Sequence, residues 1–358
     1  MAYVATIFNR YQTLLNQTQM KIKAIDNWQK KLTATLTITT ISLTTNAAWA
    51  QLLRGAGDSF AEPLYQRYSK EYEQQTGEKF KYSIIGSGGG IRLFVNKSID
   101  FGGSSLIPTP IEKNQMEDGL LMVPTGGGAL AIVYNLPGVK REVRLSREQL
   151  VKVFTGKITN WQQINSSLPN QKIQVVVCSG NCATSFILTK YLNKITGGKV
   201  LASRNPDWGF NVFSAFPTDS GIAGEISRVD GTIGYVQSNF ALANNLSIAS
   251  IENQKGRYVQ PTLAETKKAL ANVKFNDDFT TEDIKDPEDG YPLVSLTWLL
   301  VYRRYLNPDM LKAIQNLLNW ILIKGQTFNE QLEYTKVPED VAKKAIEAVN
   351  NELKIRPY

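Results

Sequence analysis

Val176-Val-Cys-Ser-Gly-Asn-Cys-Ala-Thr-Ser-Phe186 joins an apolar run to a helical pattern through a short polar loop. The largely apolar run from Ile173 to Val177 predicts a buried strand, and Ala183 to Leu192 predicts a helix whose first turn carries small hydroxyl residues. A strand, a tight polar loop and a helix N-terminus together make an anion site. The unpaired N–H groups of the first turn, reinforced by the positive end of the helix dipole, hold an oxyanion without a metal.

Two further segments carry the same chemistry. Gly55-Ala-Gly-Asp-Ser-Phe60 precedes a helical pattern over Glu62 to Gln75, and Gly86-Ser-Gly-Gly-Gly90 follows the strand-like Phe80 to Ile85 and opens a helix near Ile91. Glycine lets backbone approach a ligand closely, and each neighbouring serine adds a hydroxyl. The second loop alone is weak evidence, because it lacks the Gly-Lys-Ser/Thr ending of a nucleotide P-loop and reads equally as a turn. Three such helix starts in one chain predict a shared oxyanion cradle.

The 358 residues contain no histidine, which removes a Ser-His-Asp triad, a histidine-dependent zinc site and histidine phosphotransfer together. Paired carboxylates remain conceivable for acid–base work, yet Asp100, Glu62 and Asp219 show no spacing that selects them. Asp219, ahead of Ser220-Gly-Ile222, reads as a helix N-cap. Trp161 and Trp208 read as packing residues, with Trp208-Gly-Phe210 an alternative cleft wall. A binding protein is therefore expected rather than an enzyme, with no cofactor.

Lys21, Lys23, Lys30 and Lys31 precede the weakly apolar run Leu32 to Leu43, and Ala48-Trp-Ala50 is a small-x-small cleavage pattern. Residues 1–50 are accordingly expected to be a secretory signal peptide with an extension ahead of Met20, an alternative start. Seven threonines between Leu32 and Ala50 make the run a poor membrane span. Residues 1–50 hold five of the 40 basic and one of the 32 acidic residues, so the charge of +8 falls to +4 without them. That balance suits steering of small anions, and no basic run interleaved with aromatics marks a nucleic-acid binder. The remaining 308 residues exceed one ordinary core and predict two lobes.

Cys178 and Cys182 are the chain's only cysteines. In an oxidising compartment they could close a small ring, with Gly180 and Asn181 permitting the reversal; two unbonded thiols are the alternative. Zinc is not expected without histidine or a second cysteine pair. Strand candidates Phe80–Ile85, Ala129–Tyr134, Ile173–Val177, Ile233–Val236 and Val294–Tyr302 alternate with helical patterns, which predicts α/β layers.

The strings GAGDSFAEPLY, IIGSGGGIRLF, DFGGSS, FTGKITNW, CATSFILTKYL and GTIGYV, in this order, resemble the periplasmic phosphate-binding proteins of phosphate ABC transporters, and the resemblance covers Leu53 to Tyr358. It implies an α/β, two-lobe, type II periplasmic-binding-protein fold with the ligand cleft between lobes and two crossover hinge strands, near Ala131–Asn135 and Ser295–Trp298. Residues 51–133 and 297–358, including the final helical patterns Met310–Ile323 and Val337–Leu353, would form the first lobe, and 134–296 the second. It further implies capture of inorganic phosphate or a related oxyanion in the periplasm by a monomer and delivery to a membrane permease.

Residue by residue, the resemblance implies ligand contacts from Ser59, Phe60, Ser87, Ser105, Cys182, Ala183 and Thr184. Ser59 and Phe60 match a threonine hydroxyl and a phenylalanine N–H, Ser87 and Thr184 match hydroxyl donors, and Ala183 replaces a glycine whose N–H donates. Ser105 stands where the family carries an aspartate, Cys178 where it carries that aspartate's arginine partner, and Cys182 where it carries a serine. Loss of the charged pair predicts a neutral cradle, weaker binding and poorer rejection of sulfate. Asp58 and Arg92 are candidate substitutes, against the plainer readings of a helix cap and a solvated face. A changed ligand and a non-transport envelope or sensor role remain alternatives.

Overall fold

The computed structural model describes residues 52–357, apart from 282, 283 and 285; the expected signal peptide and its alternative start lie outside the described residues. Among the described residues nine strands form one sheet, numbered here in chain order: β1 Leu53–Gly57, β2 Phe80–Ile84, β3 Phe101–Ser104, β4 Leu121–Tyr134, β5 Gln174–Cys178, β6 Ser214–Phe216, β7 Thr232–Gln237, β8 Ser247–Ile248 and β9 Val294–Val301. The order is β2-β1-β3-β9-β4-β7-β5-β6, with β8 pairing to β4. At one end β2, β1 and β3 are parallel, and at the other β7, β5 and β6 are parallel. Antiparallel β9 and β4 join them.

β4 is the spine of the sheet. Its fourteen residues are all buried, and its partner changes from β9, over Leu121–Ala129, to β7, over Leu130–Tyr134. Its first half was hidden from the sequence by Pro124 and three glycines, all poor strand formers. The structure accommodates Pro124 at a bulge: Thr297 pairs with Gly126 while Trp298 pairs with Pro124, so Thr125 is the extra residue. A bulge is where a central strand tolerates a proline that cannot donate.

The helices that position the site are α1 Glu62–Thr76, α2 Ser87–Val95, α3 Pro110–Asn114, α4 Ala183–Ile195, α5 Asp219–Arg228, α6 Pro308–Ile323 and α7 Glu339–Glu352. α6 returns to the first half of the sheet, where Trp320 packs edge-on against Tyr68 and Tyr72 of α1. Trp161 is fully buried and donates its indole N–H to Gly231, while Trp208 packs against Phe154 and Tyr235. Both are packing residues, as the sequence suggested.

Asp219 departs from expectation. The cap of α5 is Thr218, whose hydroxyl accepts from the Gly221 N–H, and Asp219 occupies the first helical position with its side chain turned into the protein.

Candidate functional site

Residues ahead of three helix starts border one cavity: Ser59 before α1, Gly86 before α2 and Cys182 before α4. Each lacks a side-chain cap: Ala61 before α1, Gly86 before α2 and Cys182 before α4 bring no capping hydrogen bond. By contrast Thr109, Thr218 and Asn307 cap α3, α5 and α6, and α7, which begins after Pro338, is uncapped too. An uncapped N-terminus leaves N–H groups for other acceptors.

The loop between β1 and α1 supplies the centre. Asp58 donates its N–H to the Gly103 carbonyl of β3, and its carboxylate turns back to accept from the Phe60 N–H, 3.1 Å from Oδ1. This is the local turn that aspartate favours. The same Oδ1 accepts from the Ser87 hydroxyl at 2.9 Å, while Oδ2 accepts from Ser105 at 2.6 Å and Thr297 at 2.8 Å. The Ser105 N–H in turn donates to the Ser87 oxygen at 3.1 Å. Phe60, Ser87 and Ser105, three of the expected contacts, therefore meet on one buried carboxylate.

Two readings need correction here. Asp58 is not a helix cap, and the cradle is not built of hydroxyls and amides alone: a carboxyl group enters it from position 58. The sequence offered Asp58 as a candidate substitute but favoured the plainer reading, because an aspartate next to a helix start fits an ordinary cap. Burial pushes the Asp58 carboxyl above the ordinary carboxylate value, against the pull of its hydrogen bonds from Ser105, Thr297, Ser87 and Phe60. No ion pair to Asp58 forms among the described residues. Thr297 was also missed, although Ser295 and Thr297, two apart in the otherwise apolar β9, signal one polar face.

Ser59 lines a cavity of about 320 Å³, shared with Gly86, Gly89, Arg92, Cys178, Gly180, Asn181, Cys182 and Asn205. Arg92 is exposed yet lines this cavity, and it makes no ion pair among the described residues. Ala183 and Thr184 are buried in the first turn of α4 and do not line the cavity wall. Ser105 also borders a second cavity, of about 200 Å³, that holds Phe186, Tyr191 and Trp298.

Cys178 and Cys182 are joined, with an S–S distance of 2.06 Å and Cα atoms 6.3 Å apart. The loop they close turns at Gly180, whose φ of +84° a side chain would disfavour. It also presses on the GSGGG segment: the Gly88 N–H donates to the Asn181 carbonyl at 3.2 Å. A Cβ on Gly88 would stand 2.4 Å from the Asn181 Cβ, so only glycine allows the approach. A second bridge closes the same side. Arg204 donates to both carboxylate oxygens of Glu112 at 3.0 Å and to the Ile107 carbonyl at 2.7 Å, while its own carbonyl accepts the Cys182 N–H.

The PBP superfamily domain model matches residues 34–324. The phosphate-binding protein PstS of Pasteurella multocida is 32% identical over 318 residues, covering 85% of this chain and 91% of its own length. PstS of Methanocaldococcus jannaschii is 30% identical, covering 84% and 86%. The chain belongs to the PstS family of phosphate-binding proteins. Among solved structures, the PfluDING periplasmic phosphate-binding protein bound with phosphate superposes with a TM-score of 0.73 at 19% identity, over 86% of this chain and 100% of its own. The ancestral soluble variant of the human phosphate-binding protein gives 0.72 at 21% identity, over 86% and 99%. At those identities the likeness of this PstS-family chain to them is one of fold: two lobes in a mixed α/β architecture, as the motifs implied.

Proposed function

We propose that this protein captures inorganic phosphate outside the cytoplasmic membrane, as a monomer, and hands it to an ABC-transporter permease without chemical change. The observation that carries the reading is the convergence of the Phe60 N–H and the Ser87 and Ser105 hydroxyls on a single oxyanion, the Asp58 carboxylate. Donors arranged to satisfy one planar oxyanion are suited to hold another, and the uncapped helix starts add positive dipole ends. The site would lie between a lobe of residues 51–133 and 297–358 and a lobe of residues 134–296, with Ser59 and Cys182 on the wall of the adjoining cavity and Ala183 and Thr184 acting from the first turn of α4. Titration calorimetry with phosphate, sulfate and methylphosphonate tests it. Phosphate should give the tightest binding; sulfate binding more tightly would replace the ligand, and absence of heat with all three would leave the non-transport role.

A further inference from the structure

We propose that Asp58 is a built-in occupant of the oxyanion cradle, and that an incoming oxyanion binds by displacing its carboxylate from Phe60, Ser87 and Ser105. The proposal rests on the reading that the cradle is the oxyanion site. A hydroxyl has one hydrogen to donate, and Ser87, Ser105 and Thr297 each give theirs to Asp58. With the Phe60 N–H added, a carboxylate's four or so lone-pair positions are filled, and none of these four donors has a hydrogen left for a ligand. An ionised Asp58 would also oppose a second anion beside it, because like charges within about 4–6 Å disfavour joint ionisation.

The surroundings offer no relief. Burial and, in turn, Asp58 raise the pKa values of Tyr65 of α1, Tyr82 of β2, Asp219 of α5 and Tyr334, and none of these neighbours is cationic. Burial already favours the neutral acid at Asp58. As the oxyanion takes the three donors, Asp58 therefore takes a proton from solvent and remains on the Thr297 side as a neutral carboxyl. The oxyanion itself enters from the cavity that Ser59 lines.

The test is calorimetry at pH 8 on the wild-type protein and on Asp58→Asn and Asp58→Ala, with phosphate and with sulfate, in two buffers of different ionisation enthalpy. Both variants should bind phosphate at least roughly tenfold more tightly, about 1.4 kcal/mol of removed competition. Wild-type protein should take up a proton that the variants do not, and sulfate, which carries no proton of its own, should show this cleanly. Equal or weaker binding by folded variants, or no wild-type proton uptake, overturns the proposal. Phosphate binding that is insensitive to both variants would sink the displacement while leaving the phosphate role intact. Tighter sulfate binding by the variants with no response to phosphate would do the reverse. Should neither variant fold, proton uptake by the wild-type protein decides, and no heat from any pairing overturns both readings.

Discussion

Asp219 is a second buried carboxylate on the other half of the sheet. Its Oδ2 accepts from the Gln237 N–H at 2.8 Å, while its buried Oδ1 has no hydrogen-bond partner. Desolvation, set against that one hydrogen bond and aided by Asp58 and Glu62, lifts its pKa from 3.8 to about 7. The native protein thus holds a proton between pH 4 and 7 that the unfolded chain has already released. The stability this gives is complete below pH 4 and lost as pH rises through 7. Asp219→Asn should flatten the dependence, making the variant more stable than wild type at pH 8 relative to pH 5 by up to about 3 kcal/mol, since only the stretch from pH 5 to about 7 lies inside that interval, at about 1.4 kcal/mol per unit. Urea unfolding at the two pH values measures this, and an unchanged difference would mean that Asp219 does not titrate in that window.

At the scale of elements, the meeting of α2 with the disulfide-closed loop is a backbone contact. Gly88→Ala places a methyl 2.4 Å from the Asn181 Cβ and 2.6 Å from its carbonyl oxygen, so the loop must retreat. Alanine is the better helix former by up to about 1 kcal/mol, which offsets part of the cost to stability. The expected outcome is a split: a melting temperature within a few degrees of wild type, as about 1 kcal/mol implies, with phosphate affinity at least roughly tenfold weaker. A loss of both together would point to plain overpacking. The helices α1, α2 and α4 were legible in the sequence because a small-residue loop precedes a helical period, and the strands β2, β5 and β7 because they are short, largely apolar runs. What was not legible came from long-range pairing. Nothing near Arg204 in the chain announces Glu112, and Asp58 acquires its role only when β3 and β9 bring Ser105 and Thr297 beside it.

Across the whole molecule, Arg204 is the side chain that grips the opposite half. It holds Glu112 and Ile107, and its side chain and that of Glu112 are only 18% and 27% exposed, so the pair is partly shielded from solvent. A hydrogen bond to a charged group contributes about 1.5–3 kcal/mol. Arg204→Ala should therefore weaken phosphate binding roughly tenfold, because closure then costs about that much more. Small-angle scattering of the unliganded variant should show a larger radius of gyration; an unchanged radius with unchanged affinity would mean that the pair follows closure without holding it. The sheet order has a consequence for how the chain is made. β9 is inserted between β3 and β4, which both precede it by more than 150 residues. Until residues 294–301 have left the ribosome, β3 and β4 have an empty slot between them and Thr297 is not yet there to meet Asp58. Such non-local pairing folds slowly, so the growing chain lacks its finished sheet for most of its synthesis, and the last of that sheet's strands to emerge is the one that completes both the sheet and the hydrogen bonds at Asp58.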